Sequence, residues 1–401
     1  MTLFKEKPSE KKLHILLLDQ GRQSLPFLKT LAKEGHLITL VCNSRVNEAY
    51  FSRYPTKKLI WPSYINDRPG FERKLMQYLR NNDVDFTFSV SDTGTDILSR
   101  KQDEITKYTR IITPPYPTFI QGADKLKLME YCMAENLPCP KTILLNEETM
   151  EQVDVTVRFP AIVKPTRGVG AIGVVRVNNP QELQRTYHSL KDVHEQIIVQ
   201  EYIPHEDGKQ YMAEAFVDEN GNMKVCVVIF KPRIFPIKAG TSSANVTVAY
   251  PEIVATTRSL LEGLNWRGPA DVDFILDPRD NVAKILEINP RVTAGIKIAF
   301  VAGVDFADLY LKYAFREEIQ EIAEYKLGIY SRNFFLEILW FLSSSSRMKK
   351  ETFPPFFKMC GKNMVDQVFS LDDPLTGLGF FLHMLKKYMN VQNFKRKFVK
   401  R

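Results

Sequence analysis

Along the first 115 positions, short apolar runs alternate with amphipathic stretches. Residues 13–18, 36–42, 85–90 and 110–113 read as strands, and residues 24–34 and 71–82 as helices, from the spacing of their apolar positions. Strands separated by helices of this kind predict βαβ units and a parallel sheet, with ligands at the carboxyl ends of its strands. Two loops take that place, Asp19-Gln20-Gly21-Arg22 and the stretch from Ser89 to Gly94; ordinary polar turns would look the same. Thr113-Pro-Pro-Tyr-Pro117 breaks the pattern. Asp124 then caps a helix running to Ala134, which puts Lys125 in its first turn. From Phe159 onward the texture is strands and turns: 161–164, 173–177, 197–201, 210–217, 224–230, 270–276 and 283–288. The last two flank an Asp-Pro-Arg-Asp-Asn turn and read as a hairpin. Beyond about residue 311 the chain reads as helical or irregular, and no internal repeat occurs.

Composition narrows the class. A length of 401 residues, 44% hydrophobic and 25% charged, predicts two to three globular units. The net charge of +8 is local: Lys386, Lys387, Lys395, Arg396, Lys397, Lys400 and Arg401 crowd the end with no acid among them. The remainder carries 48 basic and 47 acidic residues, so charge gives no reason to expect a nucleic-acid partner. Phe394, Phe398 and Val399 interleave with the terminal cations. That pattern fits an interfacial segment on an anionic membrane, with a disordered solubilising tail as the plainer reading. Five widely spaced cysteines without a CxxC pair argue against structural zinc and for a reduced, cytoplasmic compartment, with peripheral contact at the inner membrane face left open. The apolar run 334–342, interrupted by Glu337, is too short to span a bilayer.

Two segments carry chemistry. Gly168-Val-Gly170-Ala-Ile-Gly173 matches GxGxxG, yet the strand-like Val174-Val-Arg-Val177 comes after it rather than a helix. The dinucleotide reading therefore fails, and the segment becomes a glycine flap between two strands. Such a flap can cradle phosphates through its backbone N–H groups, helped by Lys164 and Arg167. The second segment is the hairpin: Asp271 and Asp273 share one face of its first strand, and Glu287, Asn289 and Arg291 one face of its second. Carboxylates gathered this way are costly unless a cation neutralises them, and hard oxygen donors suit Mg²⁺. An exposed strand face with scattered charge is the plainer alternative.

In order along the chain, Phe159-Pro-Ala-Ile-Val-Lys164-Pro with the flap, Val199-Gln-Glu201-Tyr-Ile-Pro204 and Glu287-Ile-Asn289-Pro-Arg291-Val resemble ATP-grasp enzymes. The branch they look most like is that of carbamoyl-phosphate synthase and the carboxylate–amine ligases. The resemblance implies an α/β and α+β architecture. Residues 1–115 would be a parallel α/β domain, 116–315 an ATP-grasp fold of two α+β subdomains (116–195 with the flap, 196–315 with the metal site), and 316–401 a mostly helical extension. It further implies that Lys125 and Lys164 contact phosphates and that Gly168 and Gly170 cover the triphosphate. Gln200, Glu201 and Ile203 would line the adenine hinge. Asp273, Glu287 and Asn289 would hold one or two Mg²⁺ or Mn²⁺ ions, and Arg291 would steady the transferring phosphate. At the place of the family's usual ribose-binding acid stands Gln210, with Glu206 and Asp207 as substitutes. The implied activity is an ADP-forming ligase that joins a carboxylate to an amine through an acyl phosphate. Lys231 and Arg233 are candidates for holding a substrate carboxylate, with a solvated basic turn as the plainer reading. The partners implied are small-molecule substrates, with oligomerisation left open; a nucleotide-binding regulator of the same fold is the alternative.

Overall fold

The computed structural model describes residues 11–18, 21–168, 173–204, 209–237, 240–357 and 361–389. Five strands, β1 (His14–Leu18), β2 (Leu37–Cys42), β3 (Lys57–Ile60), β4 (Phe86–Ser89) and β5 (Arg110–Ile111), make an all-parallel sheet in the order β3-β2-β1-β4-β5. β3 has the sequence Lys-Lys-Leu-Ile and escapes a hydropathy reading because an edge strand buries little.

A second, antiparallel sheet comprises β6 (Thr142–Leu144), β7 (Ala161–Pro165), β8 (Val175–Val177) and β9 (Ile197–Glu201) in the order β6-β9-β7-β8. β7 and β8 pair directly, so the glycine segment joins two strands, as its sequence context predicts.

The third sheet holds β10 (Gln210–Val217), β11 (Met223–Phe235), β12 (Thr241–Thr247), β13 (Gly268–Asp277), β14 (Val282–Asn289), β15 (Tyr330–Arg332) and β16 (Met364–Asp366). Their order is β14-β13-β10-β11-β12-β15-β16. Two differences from the sequence reading stand out. β11 continues through Lys231-Pro-Arg233, with register shifts around the proline that cannot donate to the ladder, so this stretch is strand and not turn. The region beyond residue 311 supplies β15 and β16 to the sheet; at three residues each, they are too short to register as a periodicity.

One face of the third sheet shares its core with the first. Phe27, on the helix Ser24–Lys33, packs its ring 4.9 Å from Tyr310, which lies 5.9 Å from Phe216 of β10. The polar end of this sheet is thereby held against the carboxyl end of the parallel sheet. Among the described residues no helix is long and apolar enough to cross a membrane. Of the basic tail, only Lys386 and Lys387 lie among the described residues.

Candidate active site

The hairpin register places Asp273 opposite Glu287 and Asp271 opposite Asn289. β10 flanks it, with Glu214 opposite Asp271, Met212 opposite Asp273 and Gln210 opposite Ile275. Lys231 on β11 lies opposite Gln210. Because alternate residues share a face, these side chains form one polar field on a single surface of the sheet. Gln210 sits half-buried at its edge.

Lysines close this field from both sides. The carboxylate of Asp124 accepts from the backbone N–H groups of Leu126 and Lys127 at 3.0 and 3.2 Å, starting the helix Lys125–Ala134. The Lys125 N–H donates to the Thr166 carbonyl at 2.9 Å, tying that helix to the end of β7. From there Lys125 Nζ lies 3.1 Å from Glu287 Oε2 and 3.4 Å from the Gly168 carbonyl at the root of the flap. Gly168 and Gly173 adopt φ values of +150° and +77°, a backbone that side chains resist. Gly170 falls outside the described residues, as do Glu206 and Asp207. Lys164 on β7 is 7% exposed, and burial together with the Lys125 ammonium lowers its pKa to about 8. Burial opposes ionisation of Glu287, but Lys125 and Lys164 hold its carboxyl down to about 2. Lys231 donates to Asp273, and this partner keeps its ammonium protonated although burial works against it.

Arg291 makes the link to the parallel sheet. Its Nη2 donates to Asn289 Oδ1 and to Asp92 Oδ2, both at 3.1 Å. Asp92 starts the helix Asp92–Arg100 after β4, in one of the two loops singled out at strand ends. One further group was not legible in the sequence. Glu214 is fully buried and accepts from the Thr293 N–H at 2.9 Å and from its hydroxyl. Burial pushes Glu214 up to about 7, and burial with Asp273 and Glu214 as neighbours holds Asp271 well above the carboxylate range. Alternation along β10 allows Glu214 on this face, but its meeting with Asp271 depends on strand register, which is a tertiary fact.

The hinge residues lie at the end of β9. Gln200 is buried, turns its amide to the Thr142 hydroxyl at 2.8 Å, and lies in the ladder between β6 and β7, opposite Thr142 and Ile162. Glu201 is bound by the Lys141 N–H at 3.2 Å and by Arg279 at 2.6 Å, and Ile203 is buried. Arg233 departs from expectation. Its side chain is 0% exposed and faces away from the field, with Nε bonded to Glu337 at 2.9 and 3.0 Å and Nη1 to the Thr352 hydroxyl and the Pro354 carbonyl at 2.8 and 2.6 Å. The register shifts beside Pro232 turn it toward the helix Phe334–Ser343, where the buried Glu337 claims it. Lys297 donates to the Asp366 and Phe369 carbonyls at 2.7 and 3.2 Å.

The donor chemistry fits a divalent cation. Glu214 Oε2 and Asp271 Oδ1 are buried without a hydrogen-bond partner, and Asp273, Glu287 and Asn289 present hard oxygens next to them. Among the described residues no three acidic, histidine or cysteine side chains form a ready-made cage. Hard oxygen donors suit Mg²⁺, which takes one or two carboxylates and completes its shell with water and phosphate.

Residues 122–295 match the family model described as an ATP-grasp domain. The chain is 26% identical to D-aspartate ligase of Enterococcus faecium over 220 residues, half of this chain and 51% of that protein. It is 25% identical to D-alanine–D-alanine ligase of Carboxydothermus hydrogenoformans over 286 residues, 64% of this chain and 88% of that one. A biotin carboxylase–βγ-ATP complex from Campylobacter jejuni superposes with a TM-score of 0.68, covering 80% of this chain and 75% of the other, at 15% identity. The chain thus spans about half the length of the D-aspartate ligase it matches. The family match and the strand–flap–strand unit beside the carboxylate hairpin agree: this chain carries an ATP-grasp domain, residues 122–295.

Proposed function

We propose that the protein is an ATP- and Mg²⁺-dependent ligase that joins a carboxylate to an amine, releasing ADP and phosphate. The observation that carries this reading is the convergence of Lys125 and Lys164 on the Glu287 end of the Asp273–Glu287 pair, beside Arg291. Phosphoryl transfer needs positioning and charge neutralisation more than covalent help, and this field supplies cations and hard oxygens with no nucleophile among them. A substrate carboxylate oxygen attacks the γ-phosphorus and ADP leaves. The amine nitrogen then attacks the acyl carbon, expels phosphate and loses a proton. Asp273, Glu287 and Asn289 would hold Mg²⁺, which when bound neutralises charge on the phosphates. Lys125 and Lys164 bind the phosphates under the flap, and Arg291, braced by Asp92, steadies the group in transfer. Lys231 is the candidate for the substrate carboxylate; Arg233 is withdrawn from that role by its burial. The likeness to D-aspartate and D-alanine–D-alanine ligases supports amino acids as the substrate class.

The test is an ADP-release screen of the full chain with MgATP and paired amino-acid carboxylates and amines. The reading expects turnover only when both partners are present, together with a condensed product whose mass is the sum of the two less water. ATP binding without turnover across the panel would count against it.

Lys164 makes the binding step pH-dependent. Its pKa in the free protein is lowered to about 8, so the ammonium is present below that pH and lost above it. Phosphates favour the charged form, so nucleotide affinity is expected to be level below pH 8 and to fall as pH rises beyond it. Calorimetry of ADP binding near pH 8.5 in buffers of different ionisation enthalpy should show proton uptake, and Lys164→Met should remove it. Equal uptake in the variant would assign the proton elsewhere.

A further inference from the structure

The helices Phe334–Ser343 and Leu375–Met389 pack one face into the core and leave apolar side chains exposed on the other. The helix Phe334–Ser343 turns Phe334, Ile338 and Leu342 to solvent along one stripe, Leu342 at 73% exposure. The helix Leu375–Met389 does the same with Leu378, Leu382 and Leu385. The stripes adjoin, since the Phe335 and Phe381 rings lie 6.2 Å apart. At the other end Phe341 meets Phe357, itself 75% exposed, at 5.6 Å. An apolar surface of this extent on a globular protein marks an interaction site.

Charge identifies the occupant. Lys349 lies over the Phe341 ring at 4.5 Å, Lys350 is next in the chain, and Lys386 stands one helical turn from Leu382 at the rim of the stripe. Of the acids of the same segment, Glu351 is exposed and pairs with Arg347 at 3.0 Å, Asp366 accepts from the Phe334 N–H at 3.0 Å, and the other three are held by the body of the protein. Glu337 grips Arg233 in the interior, Asp372 holds Lys29 at 2.7 Å, and Asp373 accepts from the Ser52 hydroxyl at 2.5 Å. The remaining sequence adds Lys395, Arg396, Lys397, Lys400 and Arg401 just beyond this second helix. A symmetric contact with a second copy would bring the same lysine-rich rim from both copies into one interface. A bilayer with anionic headgroups satisfies both features at once: its acyl boundary takes the aromatic and leucine stripes while its surface takes the lysines.

We propose that this face docks the protein on an anionic membrane surface. The stripes lie flat in the interface; neither helix crosses it. The docking is independent of the proposed ligase reaction, because it uses none of the residues of the polar field.

The experiment is co-sedimentation of the full chain with phosphatidylcholine vesicles, with and without phosphatidylglycerol, at low and high salt, for the wild type and for Leu342→Glu/Leu382→Glu. Both positions are exposed, so the variant is expected to keep the wild-type melting curve; if it does not, Ile338→Ser/Leu385→Ser takes its place. The expectation is binding to the anionic vesicles that weakens with salt, with the variant's partition reduced about tenfold or more. Absence of binding to anionic vesicles overturns the proposal. Equal binding by wild type and variant also overturns it, assigning contact to the basic tail alone. A wild-type dimer in sedimentation velocity that the variant converts to monomer, without vesicle binding, would give the face to a second copy.

Discussion

Glu287→Gln is expected to lower ADP release by about 10²-fold or more while leaving nucleotide binding intact. The substitution keeps the side chain's shape and removes its charge. Glu287 lies across the hairpin from Asp273, 3.1 Å from Lys125, and is the acid toward which both lysines proposed to bind phosphate are drawn. Without it the proposed metal site of Asp273, Glu287 and Asn289 would lose one of its hard anionic donors. Lys125 and Lys164 meanwhile lose their compensating carboxylate, so their attraction for phosphates should not weaken. The signature is thus a collapse of turnover with unchanged or tighter ADP affinity, read by an ADP-release assay beside calorimetry. Turnover equal to wild type would sink the assignment of Glu287 as a metal ligand.

Arg233→Met is the second large effect, and it falls on stability. Arg233 and Glu337 are both 0% exposed and bonded at 2.6 Å, and Ser243 adds a bond to the same carboxylate at 2.8 Å. Removing the guanidinium leaves a buried carboxylate without its cation, which costs about 3–5 kcal/mol. It also frees the donor contacts to Thr352 and Pro354, so the chain beyond β15 loosens from β11. Urea unfolding should show the loss, and Arg233→Met/Glu337→Leu should recover most of it, since an apolar pair of similar volume replaces a buried ion pair at little cost. If Arg233 held substrate instead, the single variant would unfold like wild type and show only a raised KM.

These two residues show where reading the sequence succeeds and where it stops. Asp273, Glu287 and Asn289 could be placed together from alternation and a turn signal, because a hairpin is local and its faces come from a period of two. The glycine flap could be told from a dinucleotide loop for the same reason: within a few residues of its last glycine the chain becomes strand-like. Lys125 could be set in the first turn of a helix from Asp124, a local cap. Arg233 could not be placed. Two residues from Lys231 and alike in chemistry, it is carried to the opposite environment by the irregular register beside Pro232 and by Glu337, over a hundred positions away.

Glu214 was silent in the sequence, and Asp92 could be placed only in a strand-end loop, because their roles exist only between elements. Asp92 reaches Arg291 because the parallel sheet packs its carboxyl end against the third sheet, with Tyr310 between them. Glu214 becomes a buried acid because β10 is inserted beside β13, a pairing across some fifty intervening residues.

The sequence by itself determined four of the five strands of the parallel sheet, the strand–flap–strand unit, the acidic hairpin and the location of the excess charge, since each is set by neighbours a few residues apart. Only the tertiary structure decided which cations meet which carboxylates, that Arg233 belongs to the core, and that apolar stripes on two helices share one exposed face. Those outcomes rest on strand register and helix docking, set by long-range burial rather than by any local pattern.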